Sequence, residues 1–202
     1  MLVFGASSAQ GFWDSQGGWA DRLKAYYDKL QMADFSAEQP RVMNLGVSGD
    51  SSQEVLKRIG PEASARQNEK GVAIIIAVGS NNAAETAGKT RTTTEEYQTE
   101  LKQIIDKAKQ LTDKVMVVGF PAVDETKTNP IAWADLYFKN FNIQKFETAA
   151  QATARQADVP FIPIFESFKP GMNAHDGLHP NDEGHKLIFE LVLPELDKLL
   201  GQ

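Results

Sequence analysis

The chain contains no cysteine, which removes disulfides, thiolate metal sites and a cysteine nucleophile, and leaves the redox compartment open. It also has no surplus of positive charge: 21 Lys and Arg against 27 Asp and Glu give a formal net charge of −6 and a pI near 5.1. Nucleic acids and anionic membranes are bound by clustered Lys and Arg that displace counterions, and the basic residues here are scattered, so neither is an expected partner. No run approaches the ~18 apolar residues of a membrane span. The first apolar stretch, MLVF, runs straight into Gly5 with no basic n-region and no small-residue cleavage site. No signal peptide is read there, and a cytoplasmic protein is expected. Histidine is scarce as well, and all three histidines fall between positions 175 and 185.

At 202 residues and 42% hydrophobic content, the chain suits one domain over 1–202. The run VAIIIAV at 72–78 is β-branched, continuous and bounded by Gly71 and Gly79, which predicts a strand buried on both faces. Shorter runs predict strands at 2–4, 42–45, 115–118 and 159–164. Helical spacing occupies 19–30, 52–59, 94–111, 135–157 and 183–200. Strict alternation of strand and helix predicts a three-layer α/β/α sandwich around a five-stranded parallel sheet, because parallel neighbours need crossover connections. The irregular stretches 82–93 and 121–134 both follow predicted strands, at the sheet edge where ligands of such folds bind.

Four places bear chemistry. Gly5-Ala6-Ser7 puts a serine just past the first strand, where its hydroxyl is exposed and backbone N–H groups face an incoming oxyanion; ordinary turn or capping chemistry is the plain alternative. Asn44-Leu45-Gly46-Val47-Ser48-Gly49 follows the second strand, where Gly46 offers an unobstructed N–H, while Ser51 reads as the N-cap of the next helix. No Walker lysine or dinucleotide spacing accompanies these glycines. Gly79-Ser80-Asn81-Asn82 follows the third strand with a neutral amide donor in Asn81, although paired asparagines are also common turn formers. The segment from His175 to Asp182 places Asp176 three residues before His179, so that a carboxylate can hold one imidazole nitrogen while the other faces a nucleophile. A metal reading of His175, Asp176, His179, Asp182 and His185 competes, but Pro180 interrupts any helix and HExxH is absent.

Together these four blocks, in order and along nearly the whole chain, resemble the SGNH hydrolases, or GDSL-type esterase/lipase family. The resemblance implies the flavodoxin-like fold of that family and maps its block residues onto Ser7, Gly46, Asn81 and His179, with Asp176 as the acid. It implies hydrolysis of carboxylic esters of short to medium acyl or acetyl groups. Ser7 attacks, His179 is the base, Asp176 orients it, and Ser7, Gly46 and Asn81 form the oxyanion hole. No cofactor or metal is implied. The literal Gly-Asp-Ser at 49–51 belongs to the second block, not to the nucleophile. The chain departs from the family pattern at Ala6 and Asn82, where aspartates are usual, which keeps a non-catalytic ester- or carbohydrate-binding protein as the alternative. A phosphate- or flavin-binding domain would share the architecture. Phe12, Trp13, Trp133 and Met172 lie beside the site in sequence and are expected either at an apolar acyl pocket or in the core. Oligomeric state is not legible.

Overall fold

A β-branched run without polar alternation needs cover on both faces, and in the computed structural model of the chain, which describes residues 1–66 and 71–201, it has that cover. The elements in order are β1 (Leu2–Gly5), α1 (Ser7–Gln10), α2 (Trp19–Ala33), β2 (Met43–Gly46), α3 (Ser52–Ser64), β3 (Ile74–Ala77), β4 (Glu85–Thr86), β5 (Lys89–Thr90), α4 (Thr94–Lys109), β6 (Val115–Val118), α5 (Glu125–Thr128), α6 (Asn140–Gln156), β7 (Phe161–Ile162) and α7 (Asp182–Leu200). Five strands form one parallel sheet in the order β2-β1-β3-β6-β7. Alternate side chains leave by opposite faces. Leu2, Phe4, Ile74, Ile76, Val115 and Val117 pack against α3, α4 and α6. Val3, Ile75, Met116 and Val118 pack against α2 and α7. The protein is thus a three-layer α/β/α sandwich, as the strand-helix alternation predicts.

Helix starts are chemically marked. Ser51 and Glu54 form a capping box on α3, Thr93 and Glu96 another on α4, and Asn181 accepts from the N–H groups of Glu183 and Gly184 at the start of α7. Ser51 is therefore a cap.

Three expectations change. The helix expected over 135–157 begins only at Asn140, because the preceding residues are taken up elsewhere: Tyr137 bridges to Glu85, and Phe138 N–H donates to the Thr128 carbonyl. The stretch 82–93 contains the β4/β5 hairpin, turned by Ala87 and Gly88 at positive φ of 51° and 74°. The strand expected over 159–164 shrinks to Phe161–Ile162, between Pro160 and Pro163, which have no N–H to give a ladder. Among the described residues no helix is long and apolar enough to cross a membrane.

The connections run outward from β1 to β2 and then back across to β3. That reversal opens a crevice at the carboxyl ends of β1 and β3, where a doubly wound sheet binds its ligand.

Candidate active site

Close packing sets the start of the site. A side chain on Gly5 would come within 2.6 Å of both the Ala77 carbonyl and Ala9 Cβ, and one on Gly46 within 2.4 Å of Gln10 N. Both glycines let the short helix α1 settle onto the sheet edge. Ser7 is its first residue. The N-cap, Ala6, is extended (φ −106°) and contributes no capping side chain, so the first-turn N–H groups remain open towards the crevice.

Ser7 Oγ lies 2.8 Å from His179 Nε2, and His179 Nδ1 lies 2.7 Å from Asp176 Oδ2. An ionised carboxylate only accepts, so Nδ1 carries the proton and Nε2 is left to accept from the serine hydroxyl. The backbone N–H groups of Leu178 and His179 donate to Asp176 Oδ1 at 2.9 and 3.0 Å, and Trp13 Nε1 donates to Oδ2 at 2.6 Å. Burial would push the Asp176 carboxyl up, but the donors from His179 and Leu178 outweigh it and hold the group below the usual carboxylate range. Asp176 is therefore charged at neutral pH. The Phe12 ring stacks on His179, with centroids 5.2 Å apart and planes 30° apart.

His185 closes the loop that carries those aromatics. Fully buried, it donates from Nε2 to the Phe12 carbonyl at 2.9 Å and accepts the Trp19 N–H at Nδ1 at 3.2 Å. Burial lowers its pKa. In sequence His185 reads only as a helix residue or metal ligand; the signal for its role is its position one turn inside α7, facing the 12–19 loop. Asp182 likewise turns to that loop, accepting from Ser15 N–H at 3.0 Å, and His175 packs edge-on against Trp13.

Both departures from the family pattern have local replacements. Beside Ala6, Arg58 donates from Nη2 to the Gly5 carbonyl at 3.1 Å and from Nε to Asp50 at 2.8 Å, bracing the turn from α3. Asn82 is wholly buried; it accepts from Ser52 N–H at 3.0 Å and donates to Ser52 Oγ at 2.7 Å and Thr92 Oγ1 at 3.1 Å. Ser52 Oγ in turn donates to Glu100.

Asn81 Nδ2 donates to the Asp50 carbonyl at 2.9 Å, which leaves its second hydrogen for the cleft. Gly46 needs a correction. Val47 N–H donates back to the Gly5 carbonyl at 3.0 Å, so by strand alternation the Gly46 N–H points to the outer edge of the sheet. There Asn44 Oδ1 accepts it at 3.0 Å. Gly46 is needed for its missing side chain. Three residues later, Gly49 has positive φ (85°) and an N–H with no partner among the described residues, next to the Asp50 carbonyl that holds Asn81. The glycine pair was legible in sequence; the direction of each N–H was not.

The cleft beside Ser7 has a volume of about 40 Å³, with apolar walls of Pro121, Val123, Phe138 and Leu178 and polar edges at Ser80 and Asn81. None of the four residues expected at an acyl pocket lines it. Phe12 and Trp13 instead hold His179 and Asp176, Met172 packs against the core beneath α7, and Trp133 is 58% exposed.

Comparison with known proteins finds relatives along nearly the whole chain. The GDSL esterase/lipase WDL1 of Oryza sativa subsp. japonica is 25% identical over 209 residues, covering 96% of this chain and 75% of its own. The thioesterase 1/protease 1/lysophospholipase L1 of Escherichia coli is 24% identical over 207 residues, covering 100% of this chain and 85% of its own. A crystal structure of a lipase/acylhydrolase from Enterococcus faecalis superposes with a TM-score of 0.75 at 22% identity, over 98% of this chain and 95% of that one. Likeness at this level of identity speaks for the fold. The match of residues 3–187 to the GDSL-like Lipase/Acylhydrolase family goes further, and by it this chain belongs to that family.

Proposed function

We propose that the protein is a serine esterase that hydrolyses short-chain carboxylic esters. The observation that carries this reading is the unbroken chain from Ser7 Oγ through His179 to Asp176, at 2.8 and 2.7 Å. His179 Nε2 removes the hydroxyl proton as Ser7 Oγ attacks the ester carbonyl carbon. Asp176 stabilises the imidazolium that forms. Collapse of the tetrahedral intermediate expels the alkoxide, which takes the proton back from Nε2, and a water repeats both steps to release the acid.

The oxyanion is received by the Ser7 N–H at the open end of α1, by the free hydrogen of Asn81 Nδ2, and by the Gly49 N–H in place of Gly46. Removing one such donor costs about 2.7 to 4 kcal/mol in the transition state. The bracing of the Gly5 carbonyl by Arg58 and the satisfied network around Asn82 favour a working enzyme over the non-catalytic alternative, because neither departure leaves the site without support.

The cleft supports a small acyl group. A water needs on the order of 10 to 15 Å³ of such space, so about 40 Å³ corresponds to an acetyl or propionyl group. The relatives are named as esterase/lipase and thioesterase, and a thioester presents the same carbonyl to Ser7. Turnover of p-nitrophenyl esters from acetate to decanoate, with fluorophosphonate labelling of the same preparation, tests the proposal. Labelling that is lost in Ser7→Ala, with rates falling as the acyl chain lengthens, is the expected result. Absence of labelling in the wild type overturns it.

A further inference from the structure

Asp176 has one more donor than a Ser-His-Asp arrangement requires. A carboxylate offers about four lone-pair directions. Oδ1 uses two, on the N–H groups of Leu178 and His179, while Oδ2 takes His179 Nδ1 at 2.7 Å and the Trp13 indole N–H at 2.6 Å. With all four directions filled, the group cannot swing about its Cβ–Cγ bond without breaking charge-assisted hydrogen bonds at both oxygens.

Trp13 reaches that position in a backbone conformation that side-chain-bearing residues avoid, with φ of 64°. The residue is 51% exposed, yet its ring meets that of His175 in an edge-to-face contact, with centroids 4.5 Å apart. On one side of it, the Phe12 carbonyl is held by His185. On the other, Asp14 forms a two-bond pair with Arg22 at 2.8 Å each, and Asp182 receives Ser15. Such ties are what keep an unfavourable backbone conformation in place. Trp13 is not among the residues that line the cleft beside Ser7.

We propose that Trp13 is a positioning residue for the triad: its indole N–H, on the same oxygen that receives His179, fixes the plane of the Asp176 carboxylate and through it the aim of His179 Nε2 at Ser7. The inference rests on the reading of Ser7 as the nucleophile. Phe12, one residue earlier, stacks on the imidazole face, so a single loop holds the imidazole and its carboxylate together.

Trp13→Phe keeps an aromatic ring against His175 and removes only the donor. On p-nitrophenyl acetate the expected result is a fall in kcat of about thirtyfold, the worth of one hydrogen bond to a charged group, with KM within twofold of the wild type. In an Asp176→Asn background the same change should cost nothing further, because the carboxylate it acts through is gone. Unchanged kcat in an active protein, a change in KM alone, or an equal loss in both backgrounds overturns the proposal. If the wild type is neither labelled by fluorophosphonate nor active, the esterase reading falls, and the positioning role with it. Should Trp13→Phe fail to fold, the contact is read in the wild type by proton NMR. An indole N–H resonance at low field that moves upfield in Asp176→Asn supports the proposal; no movement overturns it.

Discussion

Asn82 stands where the family usually carries aspartate, and the structure turns that difference into a quantitative expectation for Asn82→Asp. The amide sits at the head of a directed chain in which Asn82 Nδ2 donates to Ser52 Oγ, and Ser52 Oγ donates to Glu100. An aspartate can only accept from that side. The single Ser52 hydroxyl proton must then serve either the new carboxylate or Glu100, and the other is left facing a like charge in a site where residue 82 is fully buried. Thr92 can rotate its hydroxyl to donate in partial relief, so the net loss is that of one hydrogen bond to a charged group, about 2 kcal/mol. For a chain of this size that is roughly 4 to 8 °C in Tm. The sign with pH follows. Burial and the neighbouring carboxylate raise the pKa of the new group above its unfolded value of about 3.9, so the folded variant holds its proton more tightly than the unfolded one. The deficit is therefore small below that value and grows as pH rises through the raised pKa. Urea denaturation of both proteins at pH 4 and pH 8 measures it, and Glu100→Gln in the variant should recover most of the loss. A variant as stable as the wild type at pH 8, or a deficit equal at both pH values, would refute the reasoning.

Ser7→Ala should abolish fluorophosphonate labelling, whereas Ser51→Ala, which removes the cap of α3, should keep labelling and lower stability by about 1 kcal/mol in a urea titration. Because burial lowers the pKa of His185, its contribution is fully present above its unfolded pKa of about 6.5 and is lost as pH falls from there through the lowered folded value. His185→Gln should flatten the dependence of Tm on pH between 7.5 and 5, and an unchanged slope counts against the assignment. Gly46→Ala would drive a methyl group to 2.4 Å from Gln10 N. It should slow labelling by displacing α1, while Gly49→Ala, whose added carbon meets nothing within 4 Å, keeps its N–H and costs about 1 kcal/mol of backbone strain. Equal labelling rates for the wild type and Gly46→Ala would reject that steric role.

Architecture was legible because it is written in local periodicity. The apolar run around Ile74, Ile75 and Ile76 has only one reading that covers both faces, and the helices between strands dictate parallel pairing. Ser7, Asp176 and His179 could be picked out as well, since a small-residue turn after a strand and an Asp-x-x-His segment are short-range patterns. What escaped depends on partners far away in the chain. Asp135 to Lys139 has acceptable helix propensity, yet Tyr137 is committed to Glu85 and Lys139 pairs with the same residue, so the helix starts late. Gly46 and Gly49 look alike in sequence, and only the strand's alternation tells that the Gly46 N–H turns to the outer edge of the sheet. Trp13 reads as an aromatic near a pocket until the backbone turn that aims its indole at a carboxylate is seen.

The hydroxyl and the imidazole that touch across 2.8 Å are separated by 172 positions along the chain. Ser7 is made long before α7 and the segment that precedes it, which cover one side of the sheet. Until His179 has been made and docked, that serine has no imidazole to take its proton and is chemically like any alcohol in water. Under the proposed esterase reading, reactivity at Ser7 is thus acquired only when the segment carrying His179 docks, and a chain that stops short of it carries the alcohol without its base.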